Sequence, residues 1–216
     1  MDYEKAIEFF DKLILDEGLD DLWNRLGRHH LVSQMHSSWV AYFFLEAIEI
    51  LEERNELPVF TERRDRMVLG ALIHDIGKES INPECLAMER EPTPEELQYM
   101  QRGHVVYGSK LLKAFEDIRP FAEGHHPAYA PKRFKKDLLR PWQVFGITVL
   151  TMCDISDRLL RGFNGLSVPN SGTIRFIKSE LKMIFPCEEE IIEAVICVAD
   201  RYANSLLVRA KIGDSE

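Results

Sequence analysis

An all-α fold, a bundle of helices, is predicted for this chain by three observations. Apolar residues recur at helical spacing along most of the sequence, no stretch alternates convincingly with a period of two, and Pro, Gly and Asn cluster between the periodic stretches. Ile7, Phe10, Ile14 and Leu15 form the stripe of a first helix. Val40, Phe43, Phe44, Ala47, Ile48 and Leu51 form another, with His36 at helical offsets before it. Thr93 at the N-cap, Pro94 at N1 and Glu96 at N3 make a capping box that starts a helix running toward Gln101, and Gly103 is expected to end it just before His104. Ile147, Leu150 and Asp154 share a further helical face. Ile191, Ile192, Val195, Val198, Ala199, Tyr202 and Leu206 line the last helix. Irregular segments are expected at Asn82 to Pro94, Pro127 to Pro141 and Arg161 to Gly172.

At 216 residues with 45% hydrophobic residues, the chain can bury one full core. The start Met1-Asp2-Tyr3-Glu4-Lys5 lacks a basic region leading into an apolar one. The apolar runs Trp39 to Leu45 and Val144 to Cys153 are too short to cross a bilayer, so a soluble, cytoplasmic protein with no membrane partner is expected. Cys85, Cys153, Cys187 and Cys197 show no CxxC spacing, which fits reduced, buried thiols better than disulfides or a zinc knuckle. A net charge of −9 argues against binding duplex nucleic acid by phosphate neutralisation. It does not exclude a small anionic substrate, because two divalent ions add about four positive charges locally.

The chemistry lies in an ordered series: His36, His74-Asp75, His104, His125-His126 and Asp154. A lone histidine on an apolar face is ordinarily a hydrogen-bonded core residue. Asp154, however, is an inward carboxylate, and burying its charge is costly unless it is paired or bound to metal. A metal accounts economically for inward carboxylates among inward histidines. Imidazole and carboxylate donors without thiolate suit Fe, Mn, Ni or Zn. His29 and His30 lie outside the series and read as surface or interhelical groups, and Asp157 as a partner for Arg158 or Arg161.

The stretch Ala71-Leu72-Ile73-His74-Asp75-Ile76-Gly77-Lys78 resembles the HDIGK element of the HD superfamily. Gly103-His104, His125-His126 and Cys153-Asp154-Ile155-Ser156-Asp157 resemble the HD-GYP branch of metal-dependent phosphodiesterases, over roughly Gly27 to Ala199. The resemblance implies two divalent ions, with Fe or Mn favoured and Ni, Zn or Mg as alternatives. His36, His74, Asp75 and Asp154 would hold one, and Asp75, His104, His125 and His126 the other. Asp75 would bridge ions roughly 3.5–4 Å apart that share a hydroxide nucleophile. Lys78 would meet a phosphate oxygen as a point charge. Residues 1–26 read as an N-terminal helical extension offering a homodimer or partner surface, 27–199 as the HD domain, and 200–216 as the end of the last helix and a tail.

The GYP tripeptide itself is missing. Pro127-Ala128-Tyr129-Ala130-Pro131-Lys132-Arg133-Phe134-Lys135-Lys136 stands in its place, where the four cations Lys132, Arg133, Lys135 and Lys136, beside Tyr129 and Phe134, are candidates to grip phosphates and stack on a base. Three functions follow as expectations. The first is a phosphodiesterase acting on a small phosphate ester, a cyclic dinucleotide such as cyclic di-GMP. The second is an HD phosphohydrolase acting on nucleotide monoesters or polyphosphates. The third is a metal-containing signalling or adaptor protein with little turnover.

Overall fold

The computed structural model describes residues 2–56, 60–87, 90, 92–132, 134–161 and 171–213, with the side chains of Ser171 and of residues 205–213 aside. Among them there is no strand. Ten α-helices follow one another: α1 Tyr3–Asp16, α2 Asp20–His29, α3 Leu31–Glu53, α4 Arg64–Leu72, α5 Pro83–Leu86, α6 Pro94–Leu111, α7 Arg119–Gly124, α8 Pro141–Arg161, α9 Ser171–Ile184 and α10 Glu189–Gly213. Short 3-10 turns occupy Thr61–Arg63, Ile76–Ser80, Pro127–Tyr129 and Lys136–Leu138. No helix among the described residues is long and apolar enough to cross a membrane.

The chain forms two compact units, Met1–Tyr42 with Val59–Thr151, and Phe43–Pro58 with Met152–Glu216. In the first, α1 buries Ala6, Phe10 and Ile14, one residue per turn. Leu15, expected on that stripe, is 66% exposed. It lies about 100° around the helix from Ile14, and the chain turns away at once through Gly18. Gly18 has φ +67°, and the Leu19 N–H reaches back to the Ile14 carbonyl at 2.9 Å. Tyr3 stacks on Trp39 with ring centroids 4.0 Å apart, tying α1 to α3.

The capping box of Thr93 and Glu96 is present, with each side chain bonded to the other's backbone N–H. Gly103 does not end the helix it begins, because α6 runs unbroken to Leu111. Glycine inside a helix costs about 1 kcal/mol. Here the missing side chain serves packing, since a Cβ on Gly103 would stand 2.6 Å from Ile81 Cδ1. The segment expected to be irregular from Asn82 contains the one-turn helix α5, capped by the Asn82 side chain with Pro83 at its first position. The described residues between 127 and 140 hold two 3-10 turns and no α-helix. Of the last irregular stretch, 162–170 lie outside the described residues, and Gly172 already belongs to α9.

Phe121 of α7 is seated between two glycines. A Cβ on Gly70 of α4 would approach its ring to 2.5 Å, and one on Gly146 of α8 to 2.7 Å. Only helices without side chains at those points admit an aromatic ring so closely. Arg66 of α4 donates twice to Asp117, at 2.8 Å each, and also pairs with Glu17 at the end of α1.

The second unit buries Ile191, Ile192, Val195, Val198 and Ala199 of α10 together with Ile177 and Leu181 of α9, which matches the expected stripe as far as side chains are described. Phe43 meets Tyr202 edge-on at 5.2 Å. Lys178 pairs with Glu193, and Lys182 with Glu189 at 2.7 Å. Asp157 accepts from Arg161 Nε at 2.7 Å, the partnership its spacing suggests. The four cysteines are unpaired, but only Cys153 is buried. Cys85 and Cys197 are half-buried and Cys187 is exposed, so burial does not account for them as a set.

Arg66→Ala removes a bidentate ion pair and leaves half-buried acceptors without their donor. We expect a loss of about 2 kcal/mol in urea unfolding, whereas Lys5→Ala, at a solvent-exposed pair with Asp2, should change little.

Candidate metal centre

His74 and Asp75 sit in the turn that closes α4, where a helix leaves its last carbonyls without intrahelical donors. His74 meets one of them: its Nδ1 donates to the Ala71 carbonyl at 2.7 Å. Just beyond the end of α7, His125 Nδ1 lies 3.1 Å from the Phe121 carbonyl, which also accepts the His125 backbone N–H at 3.3 Å. His104 lies within α6 and donates from Nδ1 to the Met100 carbonyl at 2.7 Å. Each carbonyl can only accept, so each ring carries its proton on Nδ1 and presents a bare Nε2 lone pair.

These lone pairs converge on Asp75, which is 1% exposed. Oδ1 lies 3.3 Å from His104 Nε2 and 3.6 Å from His125 Nε2. Oδ2 lies 3.4 Å from His74 Nε2 and 3.5 Å from His36 Nε2, and it also contacts the Lys78 ammonium. The carboxylate thus divides its two oxygens between two sets of donors. His36, His74 and Asp75 form one set, and His104, His125 and His126 the other; within each, the ligand atoms lie within 4.8 Å of one another. Ring contacts run through the whole series, from His36 to His74 at 5.6 Å, His74 to His125 at 4.9 Å and His125 to His126 at 4.2 Å.

A metal fits this donor set. His104 Nε2 and His125 Nε2 are 3.1 Å apart, and with both protons on Nδ1 the facing lone pairs have no hydrogen to share. Asp75 Oδ1 is buried beside them without a formed hydrogen bond. Three acceptors aimed at one place call for a cation between them. Metal bonds of about 2.1 Å span such sets with small adjustments. No thiol belongs to either set.

Burial by itself would raise the Asp75 carboxyl, but the Lys78 ammonium and the surrounding histidines outweigh it and hold the group well below the usual carboxylate range. Burial pushes His104 down to about 3 despite the attraction of Asp75. Both groups are therefore deprotonated at neutral pH, as metal ligands must be.

The backbone under the site depends on a glycine. A Cβ on Gly77 would stand 1.9 Å from the His104 carbonyl oxygen and 2.4 Å from the Gly108 nitrogen. Only glycine lets the turn carrying His74 and Asp75 lie against α6. A second tie joins the two histidine-bearing helices: Ser109 of α6 donates to Glu123 of α7, a buried carboxylate that also lies 3.5 Å from Arg119 Nε. Neither Glu123 nor Ser109 is suggested by the sequence motifs, because their partnership joins residues fourteen apart on different helices.

Other predicted residues are placed as follows. Asp154 is 6% exposed on α8 and belongs to the second unit, where with Asp157 it adds to the effect of burial in raising the Cys153 thiol. Tyr129 is half-buried in a 3-10 turn, Lys132 and Lys135 are exposed, and Arg133 lies outside the described residues. Phe134 packs on the bare face of Gly124, next to His125. Lys132 lines a shallow cleft with Val106, Lys110 and Pro131. Lys110, which the sequence did not single out, sits over the Tyr107 ring at 5.2 Å. His29 bonds the Ile81 carbonyl through Nε2 at 2.7 Å, an interhelical role.

Helices that gather five imidazoles and a shared carboxylate define a helical metal-site domain. The HD domain family model matches residues 34–205, and the chain belongs to that family, whose members are generally metal-dependent hydrolases. No curated protein matches the chain.

Gly77→Ala is expected to abolish stoichiometric metal binding by driving the turn off α6, read as metal content after dialysis against Mn2+. In chelator-treated protein, His104 stays neutral down to about 3 when folded but takes its proton near its ordinary 6.5 when unfolded. The unfolded chain therefore binds more protons in that window, and stability falls as pH falls through it. From this residue we expect a loss of about 2 kcal/mol between about pH 7 and pH 5. A urea midpoint that does not move over that range contradicts the assignment.

Proposed function

We propose that the protein is a phosphodiesterase of the HD-GYP kind, cleaving a small phosphodiester, with a cyclic dinucleotide such as cyclic di-GMP as the substrate class. The observation that carries this reading is the division of Asp75: one oxygen faces His36 and His74, the other His104 and His125. A carboxylate so shared is suited to bridging two ions. His36, His74 and Asp75 would hold one, and Asp75, His104, His125 and His126 the other, with Asp154 a further ligand on the sequence resemblance. Two divalent ions held there supply an activated water and neutralise charge developing on phosphorus.

The chain's own residues supply the rest. Backbone carbonyls lock three rings in one tautomer, so the donors need no reorientation. Lys78, His36 and His126 are the partly exposed members of the set and mark the side from which substrate approaches. Lys78 offers a compact charge for a non-bridging phosphate oxygen. Leu31, Val32 and Met35 are exposed on the turn of α3 before His36, an apolar rim that a nucleobase can cover. Lys110 and Lys132 offer cations to a second phosphate along the α6 cleft.

The loop in place of GYP carries a second reading, hydrolysis of nucleotide monoesters or polyphosphates, since the tripeptide of the phosphodiesterase branch is absent and Phe134 packs on Gly124 there. Hydrolysis of bis(p-nitrophenyl) phosphate with Mn2+, followed by cyclic dinucleotides against nucleoside mono- and triphosphates, separates the two. Asp75→Ala is expected to lose both ions and all measurable turnover. Lys78→Ala should keep both ions and lose about 100-fold in kcat. Turnover of monoesters alone would replace the first reading by the second, and two ions without turnover on any of these substrates would point to an adaptor.

A further inference from the structure

Asp75 does not present the same environment on its two sides. Among the described residues, Oδ1 faces the imidazoles of His104 and His125, whereas Oδ2 meets His36, His74 and the Lys78 ammonium. Lys78 is held close by its position. Its backbone N–H donates to the Asp75 carbonyl at 2.9 Å, three residues back along a 3-10 turn, so its side chain begins beside the carboxylate it pairs with. Its side chain is 22% exposed, which leaves it a route outward to solvent. An ion held by Oδ2, His36 and His74 needs the same oxygen and the same electrostatic position as the ammonium. An ion held by His104, His125 and His126 on the Oδ1 side displaces no cation.

We infer that Lys78 competes with the ion of the His36 set, so that the two sets fill in order, the His104 set first and the His36 set second, and arrival of the second ion releases Lys78 toward substrate phosphate. The inference rests on the reading above that both sets hold divalent ions. It makes the phosphate-binding lysine conditional on complete metal loading. With one ion bound, Lys78 is engaged by Asp75, and the site lacks both an ion and its anion-binding side chain. With two, repulsion from the new charge and loss of its carboxylate partner turn the ammonium outward. Partial loading therefore disables substrate binding as well as chemistry.

The test is a titration of chelator-stripped full-length protein with Mn2+, followed by calorimetry and by the electron paramagnetic resonance signal of free Mn2+. Wild-type protein should bind two ions with affinities at least about tenfold apart. Lys78→Met should tighten the weaker ion by about tenfold and leave the stronger unchanged, and Lys78→Arg, which keeps the charge, should leave the weaker one weak. His36→Ala should retain one ion, bound with the stronger affinity, and His126→Ala should abolish the stronger class. His36→Ala tests the order of filling even if a Lys78 variant misfolds by circular dichroism. Two ions whose affinities do not respond to Lys78→Met, or loss of the stronger ion in His36→Ala, overturn the inference while leaving the two-ion reading intact. Failure of wild-type protein to bind two ions overturns both.

Discussion

Asp75 is a carboxylate 1% exposed, and an isolated charge so placed is too costly to survive in a folded protein. Much of the first unit can be understood as the means of keeping it ionised. Lys78 sits three residues away on a tight turn, four imidazole nitrogens lie within 3.6 Å of its oxygens, and the turn that carries it rests on α6 through a glycine. Removing the carboxylate would leave lone pairs facing one another, and removing the lone pairs would leave the carboxylate without ligand partners for a cation. The cluster is therefore interdependent, and the effects of changing its members will not add.

The donors are oriented by backbone at helix ends. His74 and His125 each lie just past a helix end; His74 Nδ1 bonds the Ala71 carbonyl near the end of α4, and His125 Nδ1 shares the Phe121 carbonyl with its own backbone N–H. A requirement of helix termination thus becomes control of a tautomer. Close packing then sets position: Gly77 against Gly108, and Phe121 between Gly70 and Gly146, bring helices together at distances that any side chain would increase. Because the Phe121 carbonyl receives the His125 ring, the seat of one aromatic side chain is linked directly to the aim of one candidate metal donor.

Net charge and local charge point in opposite directions. The chain carries −9 overall, yet Lys78 lies against the histidine sets, and Lys110 and Lys132 line a cleft with Val106 and Pro131. Some acidic residues are paired with arginines and lysines, as in Asp117 with Arg66 and Glu193 with Lys178. An anionic substrate meets the local field, which governs binding at distances shorter than the Debye length of about 8–10 Å.

The sequence by itself determined the helical class, the α6 capping box and the identity of the histidine and aspartate series, because these depend on residue spacing and on chemistry that few side chains possess. It misjudged Leu15, which is exposed about 100° around α1 from the buried Ile14, and Gly103, which continues a helix and packs its bare face against Ile81. Only the tertiary structure decided which donors share which oxygen of Asp75, that Lys78 touches Oδ2, and that Ser109 binds Glu123. Except for Lys78, three residues from Asp75, those facts arise from segments that packing brings together, fourteen residues apart for Ser109 and Glu123 and tens of residues apart for His36, His104 and His125 around Asp75. Local spacing carries no information about such distances, because they are set by how closely one helix can approach another.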